Sequence, residues 1–384
     1  MGNTITNMEQ DAYVALNTVM RERVGLIGCV TRDSRADAVA KNAVVHSFVT
    51  PVAGTPQNFT PSMSDPGAAD ETFGDVEVAL DRLKYLDFSW SGEEEYAADQ
   101  TFGHLSPQQQ QIAQRMRRIV NDMEADLWAA MYKGASRAYG AAATKPFATS
   151  GNLTDFAMMQ KILDDNGVGD SERYGVLSTT AALNLIGLQS QAQMSGDTSQ
   201  ARRGVLLDYA GFAIKRSGQI GIHTAGTGTA YDVNQVATPP VAGDTQIAFD
   251  TGSGTVLAGD VIVNAESGRD DNKYLVGTEL GGGHLHINGP GLRLPWNDGD
   301  TITLTANYTP NLFFARSGAI LVTRLPKFPQ RGDKATDVFN VTDPESGLSF
   351  MIRYYPGTGM GVYRMFAMWG VKVLDSAQIA VLIS

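Results

Sequence analysis

The run SPQQQQIAQRMRRIVNDMEADLWAAMYKG, residues 106–134, decides the fold because it predicts one unusually long helix. Ser106, followed by a proline and then by glutamines, is typical of a capped helix N-terminus. Apolar side chains then recur every three or four residues, which places them on one helix face. They are Ile112, Met116, Ile119, Met123, Leu127 and Met131. Lys133 and Gly134 supply a cation and a glycine at the C-terminus. Such a helix would be roughly 40 Å long, which predicts the backbone of an elongated domain.

Upstream of this helix, two extended segments flank a long polar loop. The first is Val44–Val49, and the second is Val76–Trp90, in which apolar and polar side chains alternate as in a strand. The residues between them are rich in Gly, Pro and Ser. This pattern predicts an extended β-finger over residues 43–92. Because an isolated hairpin is marginally stable in water, we expect the finger to pack against something other than its own domain. Residues 8–27 have helical spacing and belong to an N-terminal arm, residues 1–42.

Downstream, the pattern changes twice. Helix and strand signals alternate from about residue 151 to residue 225, with a helix at 155–165 ended by Asn166 and Gly167. Short strands separated by turn residues then follow without helical spacing, which predicts a small β-barrel inserted at 226–310 with adjacent ends. The last segment, 311–384, returns to the first fold and ends in two long strands around Gly357–Gly361. The predicted class is α+β.

Composition and charge exclude several classes of protein. The chain has 384 residues, a net charge of −11, 43% hydrophobic residues and one cysteine, Cys29. Disorder, a bilayer-spanning helix, a disulfide framework and strong binding of nucleic acid are therefore not expected. Residues 65–99 contain eleven acidic residues and two basic residues, Arg82 and Lys84, and the barrel is acidic too. Residues 1–10 lack a secretory signal, so we expect the protein to remain in the cytosol where it is made.

Nothing in the sequence forms a catalytic constellation. His284 and His286 share one strand face, but two ligands without a third do not make a metal site. Three successive acids, Glu93, Glu94 and Glu95, point to both faces of an extended chain and fit a solvated or subunit-facing cluster better than a cation site. The glycines at 357–361 lack the spacing of a phosphate-binding loop. We therefore expect no enzymatic activity, no cofactor and no metal.

The order of these parts resembles the major capsid proteins of tailed bacteriophages, whose fold is shared with the herpesvirus shell floor. Most similar is the branch in which a β-barrel interrupts the axial domain. The segments that carry the resemblance cover nearly the whole chain, the barrel matching least, and they are 88–95, 105–133, 166–178, 211–227, 311–319, 342–348 and 369–373. In the terms of that fold, residues 93–150 would be the peripheral domain with spine helix 106–133, and residues 151–225 the axial domain.

The resemblance implies a coat protein that assembles into hexamers and pentamers of an icosahedral shell enclosing double-stranded DNA. Its partners would be further copies of itself, a scaffolding protein, a portal and, through weak non-specific contacts, the packaged DNA, with no membrane. Assembly would take place in the host cytoplasm, and the product would be the virion capsid. The finger of one copy would lie over the spine helix of its neighbour. The candidate interface residues are Arg82, Lys84, Glu93, Glu94, Glu95, Arg115, Arg117 and Arg118.

Two other functions remain open at this point. The same fold could form a nanocompartment that holds a cargo enzyme, or an accessory virion protein; the inserted barrel argues mildly against a compartment. Alternatively, the chain could be a metal-dependent cytosolic enzyme that uses His284 and His286. Stoichiometric zinc or iron in the purified protein would favour the enzyme.

Overall fold

The computed structural model describes most of the chain, namely residues 25–49, 58, 61, 74–94, 96, 107–148, 153–191, 208–235, 239–266, 268–281, 283–329, 332–342 and 347–384. Several sequence predictions lie outside these residues: the N-terminal helix before residue 25, the loop of the finger, Glu95, Ser106 and a strand at 205–207.

The described residues form three α-helices and nineteen strands. The helices are α1 (Pro107–Lys133), α2 (Thr154–Asp165) and α3 (Thr179–Gln191). The first nine strands are β1 (Thr31–Val39), β2 (Val44–Val49), β3 (Gly74–Ala79), β4 (Arg82–Ser91), β5 (Arg137–Gly140), β6 (Arg173–Ser178), β7 (Ala213–Ser217), β8 (Thr229–Val233) and β9 (Gln246–Ser253). The others are β10 (Val261–Asn264), β11 (Lys273–Gly281), β12 (His284–Ile287), β13 (Thr301–Leu304), β14 (Pro310–Ala315), β15 (Ala319–Pro326), β16 (Asp337–Thr342), β17 (Ser349–Pro356), β18 (Met360–Val373) and β19 (Ile379–Ile383).

The predicted long helix is confirmed, since α1 runs from Pro107 to Lys133 and buries all six side chains of its apolar stripe. It packs on one face of a six-stranded sheet that contains β1, β4 and β15–β18. Because side chains alternate along a strand, Met365 and Trp369 of β18 join the helix in one core, whereas Met368 faces the opposite side. The stripe therefore determines which face of β18 is covered.

The second arm of the predicted finger is shorter than the alternation indicated. The hairpin consists of β2 and β3 alone, which pair as a separate two-stranded sheet. Residues 82–91 form β4, which pairs with β18 along ten residues, from Arg82 opposite Trp369 to Ser91 opposite Met360. An alternating pattern predicts a strand but not its partner, so a finger arm and a sheet strand look alike in sequence.

A second sheet joins the α+β domain to the barrel. Strands β5, β19, β14, β6 and β7 form its first part, with α1 packed on one face and α2 and α3 on the other. Helix α2 ends as its sequence predicted: Gly167 has a φ of +77°, and Val168 N donates to Leu163 O, the bonding of a Schellman turn. Glycine adopts this left-handed conformation without strain.

The predicted barrel is present at the far end of the same sheet. Strands β10, β13, β8, β9, β12 and β11 pair in turn, and β11 pairs back to β10, so six strands close around one core. Strand β11 also pairs with β5, which makes the barrel continuous with the α+β domain. The ends of the insertion are adjacent, as predicted, because His223 and Tyr308 exchange backbone hydrogen bonds of 2.8 and 3.2 Å.

Candidate assembly surfaces

One face of the hairpin β2–β3 packs against its own chain. It does so at the end of the hairpin near Val45 and Val78, which we call the root. Val45 and Val78 stand opposite each other and pack with Val322 and Met368 on the face of the six-stranded sheet that α1 does not cover. The other face carries the exposed Val44 as well as polar side chains, because successive residues of a strand point in opposite directions. We call these the root face and the outer face of the hairpin.

Gly370 allows the hairpin root to approach β18 closely. A Cβ at this position would lie 2.2 Å from the carbonyl oxygen of Ala79, in β3. We expect Gly370→Ala to lower the free energy of unfolding by about 1–3 kcal/mol, because backbone atoms must shift to admit the methyl group. Urea unfolding measures this loss, and hydrogen exchange of residues 44–49 and 74–79 should show a loosened root.

Gly187→Ala is the matched control for this prediction. It lies in α3, where a Cβ would meet no atom within 4 Å. Alanine is a better helix former than glycine by about 0.5–1 kcal/mol, so this variant should be as stable as the parent or slightly more so. If Gly370→Ala unfolds at the same urea concentration as the parent protein, the close approach has no energetic importance.

The outer face of the hairpin is acidic. His46 and Glu77 are directly opposite each other, and Nδ1 of His46 lies 2.7 Å from Oδ2 of Asp75. All three side chains are exposed, and their ligand-type atoms lie within 4.8 Å of one another. Two carboxylates and one imidazole give this face an acidic character that its root face lacks.

The basic residues predicted to face other copies are largely engaged within the chain. Lys84 lies 2.9 Å from Asp122, and Arg82 lies 3.4 Å from Asp126, so both bind α1 of their own chain. The sequence prediction placed both residues on the finger. In the structure they belong to β4, which the helix covers.

The three arginines of the spine helix differ from one another. Arg115 donates from Nε to the carbonyl oxygen of Asp87 at 3.1 Å and lies over the ring of Phe88, and burial lowers the pKa of its guanidinium. Arg117 is buried. Arg118 is exposed, and Arg115 is partly exposed.

The acidic run after β4 begins a helical turn. Ser91 N donates to Glu94 Oε2 at 2.9 Å, and Glu94 N donates to Ser91 Oγ at 3.3 Å, which is a capping box. The hydrogen bond from the Ser91 backbone lowers the pKa of Glu94. Glu93 and Glu94 are exposed, whereas Glu95 lies outside the described residues.

A groove beside the hairpin root was missed by the sequence reasoning. It has a volume of about 420 Å³ and is lined by apolar side chains and two lysines, namely Val39, Ala40, Lys41, Leu83, Pro326, Lys327, Phe328 and Pro329. Lys41 and Lys327 are 286 positions apart in the sequence and meet only because β1 and β15 run parallel, with Val39 opposite Pro326. No local pattern signals such a site. We call it the root groove.

One buried carboxylate ties the spine helix to the segment that leads into β1. Glu124 is fully buried, and it accepts hydrogen bonds from the backbone N–H groups of Gly25, Leu26 and Ile27 at 3.0–3.4 Å and from the hydroxyl of Ser217. Burial raises the pKa of Glu124, and the four hydrogen bonds oppose that rise. The sequence showed Glu124 only as a polar position beside the stripe.

A second buried network lies where the chain enters the barrel. His223 Nε2 donates to Asp260 Oδ1 at 2.8 Å, which leaves Nδ1 to accept from the Tyr132 hydroxyl at 3.2 Å. Asp260 is fully buried and also accepts from Leu257 N and Gly226 N. Burial raises the pKa of Tyr132 and of Tyr308, so both hydroxyls keep their protons. The network joins spine helix, barrel and linker.

The histidine pair of the barrel has no third ligand in the part of the chain that the structure describes. His284 and His286 lie on the outer face of β12, while Leu285 and Ile287 point into the barrel core. Within the described ranges, the single group of three potential metal ligands is that on the hairpin, His46, Asp75 and Glu77. Among the helices of these ranges, none is long and apolar enough to cross a membrane.

Comparison with solved structures finds phage capsids, together with a virus-like particle from Pyrococcus furiosus and an encapsulin from Synechococcus elongatus. A capsid chain of cyanophage P-SCSP1u aligns over 95% of this chain and 89% of its own length, with 11% identity and a TM-score of 0.50. A chain of Mycobacterium phage Che8 aligns over 95% and 94%, with 13% identity and a TM-score of 0.46. No protein-family model and no curated protein matches the sequence. The chain therefore has the α+β fold of tailed-phage major capsid proteins, with a β-barrel inserted into it.

Proposed function

We propose that this chain is the structural major capsid protein of a tailed phage, which self-assembles into hexamers and pentamers of an icosahedral shell around double-stranded DNA. The fold supports a shell subunit, but one fold can host many functions, and the surfaces of the chain distinguish among them. Scaffolding protein and portal would be assembly partners in the host cytoplasm. We propose a structural role and not a catalytic one, without cofactor or metal.

The single observation that carries this proposal is the hairpin β2–β3. It forms its own two-stranded sheet, and its packed side chains in the described residues lie at the root, on one face. A two-stranded sheet gains little stability in water by itself. A second copy of the chain would supply a surface on which the hairpin can pack. Repeating such a contact from copy to copy can close a ring.

The proposal is tested by assembly of the purified protein, expressed with a scaffolding protein if it does not assemble alone. We expect electron microscopy to show closed shells with five- and six-fold capsomers, and sedimentation to show a large homogeneous particle. Stable monomers under every condition would contradict the proposal.

The enclosed material distinguishes the alternatives of the same fold. Particles recovered from lysed host cells should hold nuclease-protected double-stranded DNA. Shells that instead hold a folded cargo enzyme and no DNA would identify a nanocompartment, and the virion part of the proposal would be wrong.

A further inference from the structure

The outer face of the hairpin brings together three side chains that can ligate a metal ion. His46 of β2 stands directly opposite Glu77 of β3, and Asp75 lies two positions before Glu77, on the same face of the strand. One ligand-type atom from each side chain lies within 4.8 Å of the other two, and Nδ1 of His46 is 2.7 Å from Oδ2 of Asp75. In the part of the chain that the structure describes, no other three such side chains lie this close together.

We propose that His46, Asp75 and Glu77 bind one divalent transition-metal ion, zinc being the ion that this ligand set suits best, and that the ion joins β2 to β3. The shell function proposed above does not depend on this ion, so each idea is tested without the other. No metal was expected from the sequence, because the ligands are far apart along the chain. His46 and Asp75 are separated by 29 positions, and only the pairing of β2 with β3 brings them together.

The ligand chemistry selects the class of metal. An imidazole nitrogen suits zinc and neighbouring transition metals, whereas Mg²⁺ and Ca²⁺ prefer oxygen ligands alone. Nδ1 of His46 can bind the ion while Nε2 keeps its proton. Two carboxylates balance the charge of a divalent ion, and a water molecule would complete the usual four ligands of zinc. The set therefore favours zinc over the hard cations.

The charges on the outer face also favour a bound cation. Within the described ranges, neither Asp75 nor Glu77 forms an ion pair with a lysine or an arginine, and the partner of Asp75 is His46. Two carboxylates on one face of a short strand repel each other. A divalent cation held between them removes this repulsion and attracts both.

The site can close around an ion without a change in the backbone. Zinc bonds of about 2.0–2.2 Å place the ligand atoms of a tetrahedral site roughly 3.3 Å apart. The 2.7 Å contact between His46 and Asp75 would lengthen slightly, and the carboxylate of Glu77 would move inward. All three side chains are exposed and free to rotate, whereas Val45 and Val78 on the root face stay packed.

A bound ion would stabilise the hairpin itself. A two-stranded sheet is marginally stable in water, and the ligands come from both strands, so an opened hairpin does not offer the same site. At a free zinc concentration 100 times the Kd, opening of the hairpin should become about 100-fold rarer. The rigidity of the finger would then depend on the supply of zinc.

The first test measures zinc binding to the purified full-length protein after treatment with a chelator. Titration calorimetry with zinc chloride should show one ion bound per chain at this site. In His46→Gln we expect the affinity to fall by more than about tenfold, since even residues that only support a metal ligand are worth about 10–100-fold. His284→Gln/His286→Gln is the matched control: it removes the histidine pair on the outer face of the barrel and should leave this affinity unchanged.

The second test locates the effect in the chain. Hydrogen exchange of residues 44–49 and 74–79 should slow by up to about 100-fold in the parent protein when zinc is added, while exchange in α1 stays the same. In His46→Gln and in Glu77→Gln, zinc should have no effect on these residues. Both side chains are exposed, so neither substitution disturbs the core.

The inference is overturned if the parent protein binds no zinc, if His46→Gln binds zinc as tightly as the parent protein, or if saturating zinc leaves exchange in the hairpin unchanged. Shells that assemble from a protein without this zinc site would refute the inference and leave the shell function intact. Zinc binding by a protein that never assembles would do the reverse.

Discussion

Replacing Glu124 by alanine is expected to lower the free energy of unfolding by about 3–5 kcal/mol, because four donors lose their acceptor in a buried site. These donors are the N–H groups of Gly25, Leu26 and Ile27 and the hydroxyl of Ser217. The segment before β1 should detach from the spine helix at the same time. Urea unfolding of the purified protein measures the loss, and hydrogen exchange at residues 25–29 should rise.

Asp122→Ala on the same helix is the matched control. Its carboxylate lies 2.9 Å from Lys84, and both side chains are partly exposed, at 39% and 46%. Surface ion pairs of this kind contribute about 0–1 kcal/mol, so the control should be nearly neutral. Equal losses in the two variants would show that burial at Glu124 has no special importance.

The same carboxylate should make stability depend on pH. Its pKa is raised in the folded protein, mainly by burial, so the folded state binds this proton more tightly than the unfolded state does. Its contribution to stability is therefore fully present below the unfolded pKa and declines as the pH rises through the folded pKa. Glu124→Gln removes this dependence, so the difference in urea midpoint between Glu124→Gln and the parent protein should change between pH 4 and pH 7.

Asp260→Ala is expected to lower the free energy of unfolding by about 2–4 kcal/mol, since it leaves several buried donors without an acceptor. Asp260 accepts from His223 Nε2 at 2.8 Å and from Leu257 N at 2.7 Å, and it is fully buried. The loss should be concentrated where the barrel joins the spine helix. Increased hydrogen exchange at 223–226 and 257–260, with the core of α1 unchanged, is the expected pattern.

Asp271→Ala provides the comparison for this variant, because it removes an exposed carboxylate from the same barrel. It should unfold at the same urea concentration as the parent protein. Uniform exchange across the whole chain in Asp260→Ala would mean that the network stabilises the fold globally and does not secure the junction.

The elements predicted correctly from the sequence are those whose patterns lie within a few neighbouring residues. Helix α1 was predicted with its observed bounds because its cap, its apolar stripe and its terminal glycine are all local. Five of the six barrel strands, all but β8, were found for the same reason, through turn residues and short apolar runs. Strand β1 was missed, since its sequence TRDSRADAV carries charges where an alternating pattern would have apolar residues.

The candidate surfaces were harder to predict than the elements. Acidity around Asp75 and Glu77 was visible in the sequence, but the face that carries it was not. The sequence also did not show that Arg115 donates to the backbone of β4 or that Arg117 is buried. A charge map counts residues and contains no information about which charges are already paired.

The sequence by itself determined the α+β class, the long spine helix and the inserted barrel, because periodicity and turn chemistry act over a few residues. Only the tertiary structure decided which basic residues are paired within the chain and which are left exposed. Pairing of β4 with β18 placed Arg82 and Lys84 against α1, and parallel pairing of β1 with β15 brought Lys41 to Lys327. Contacts between residues hundreds of positions apart arise from the packing of whole elements, so no local pattern reveals them.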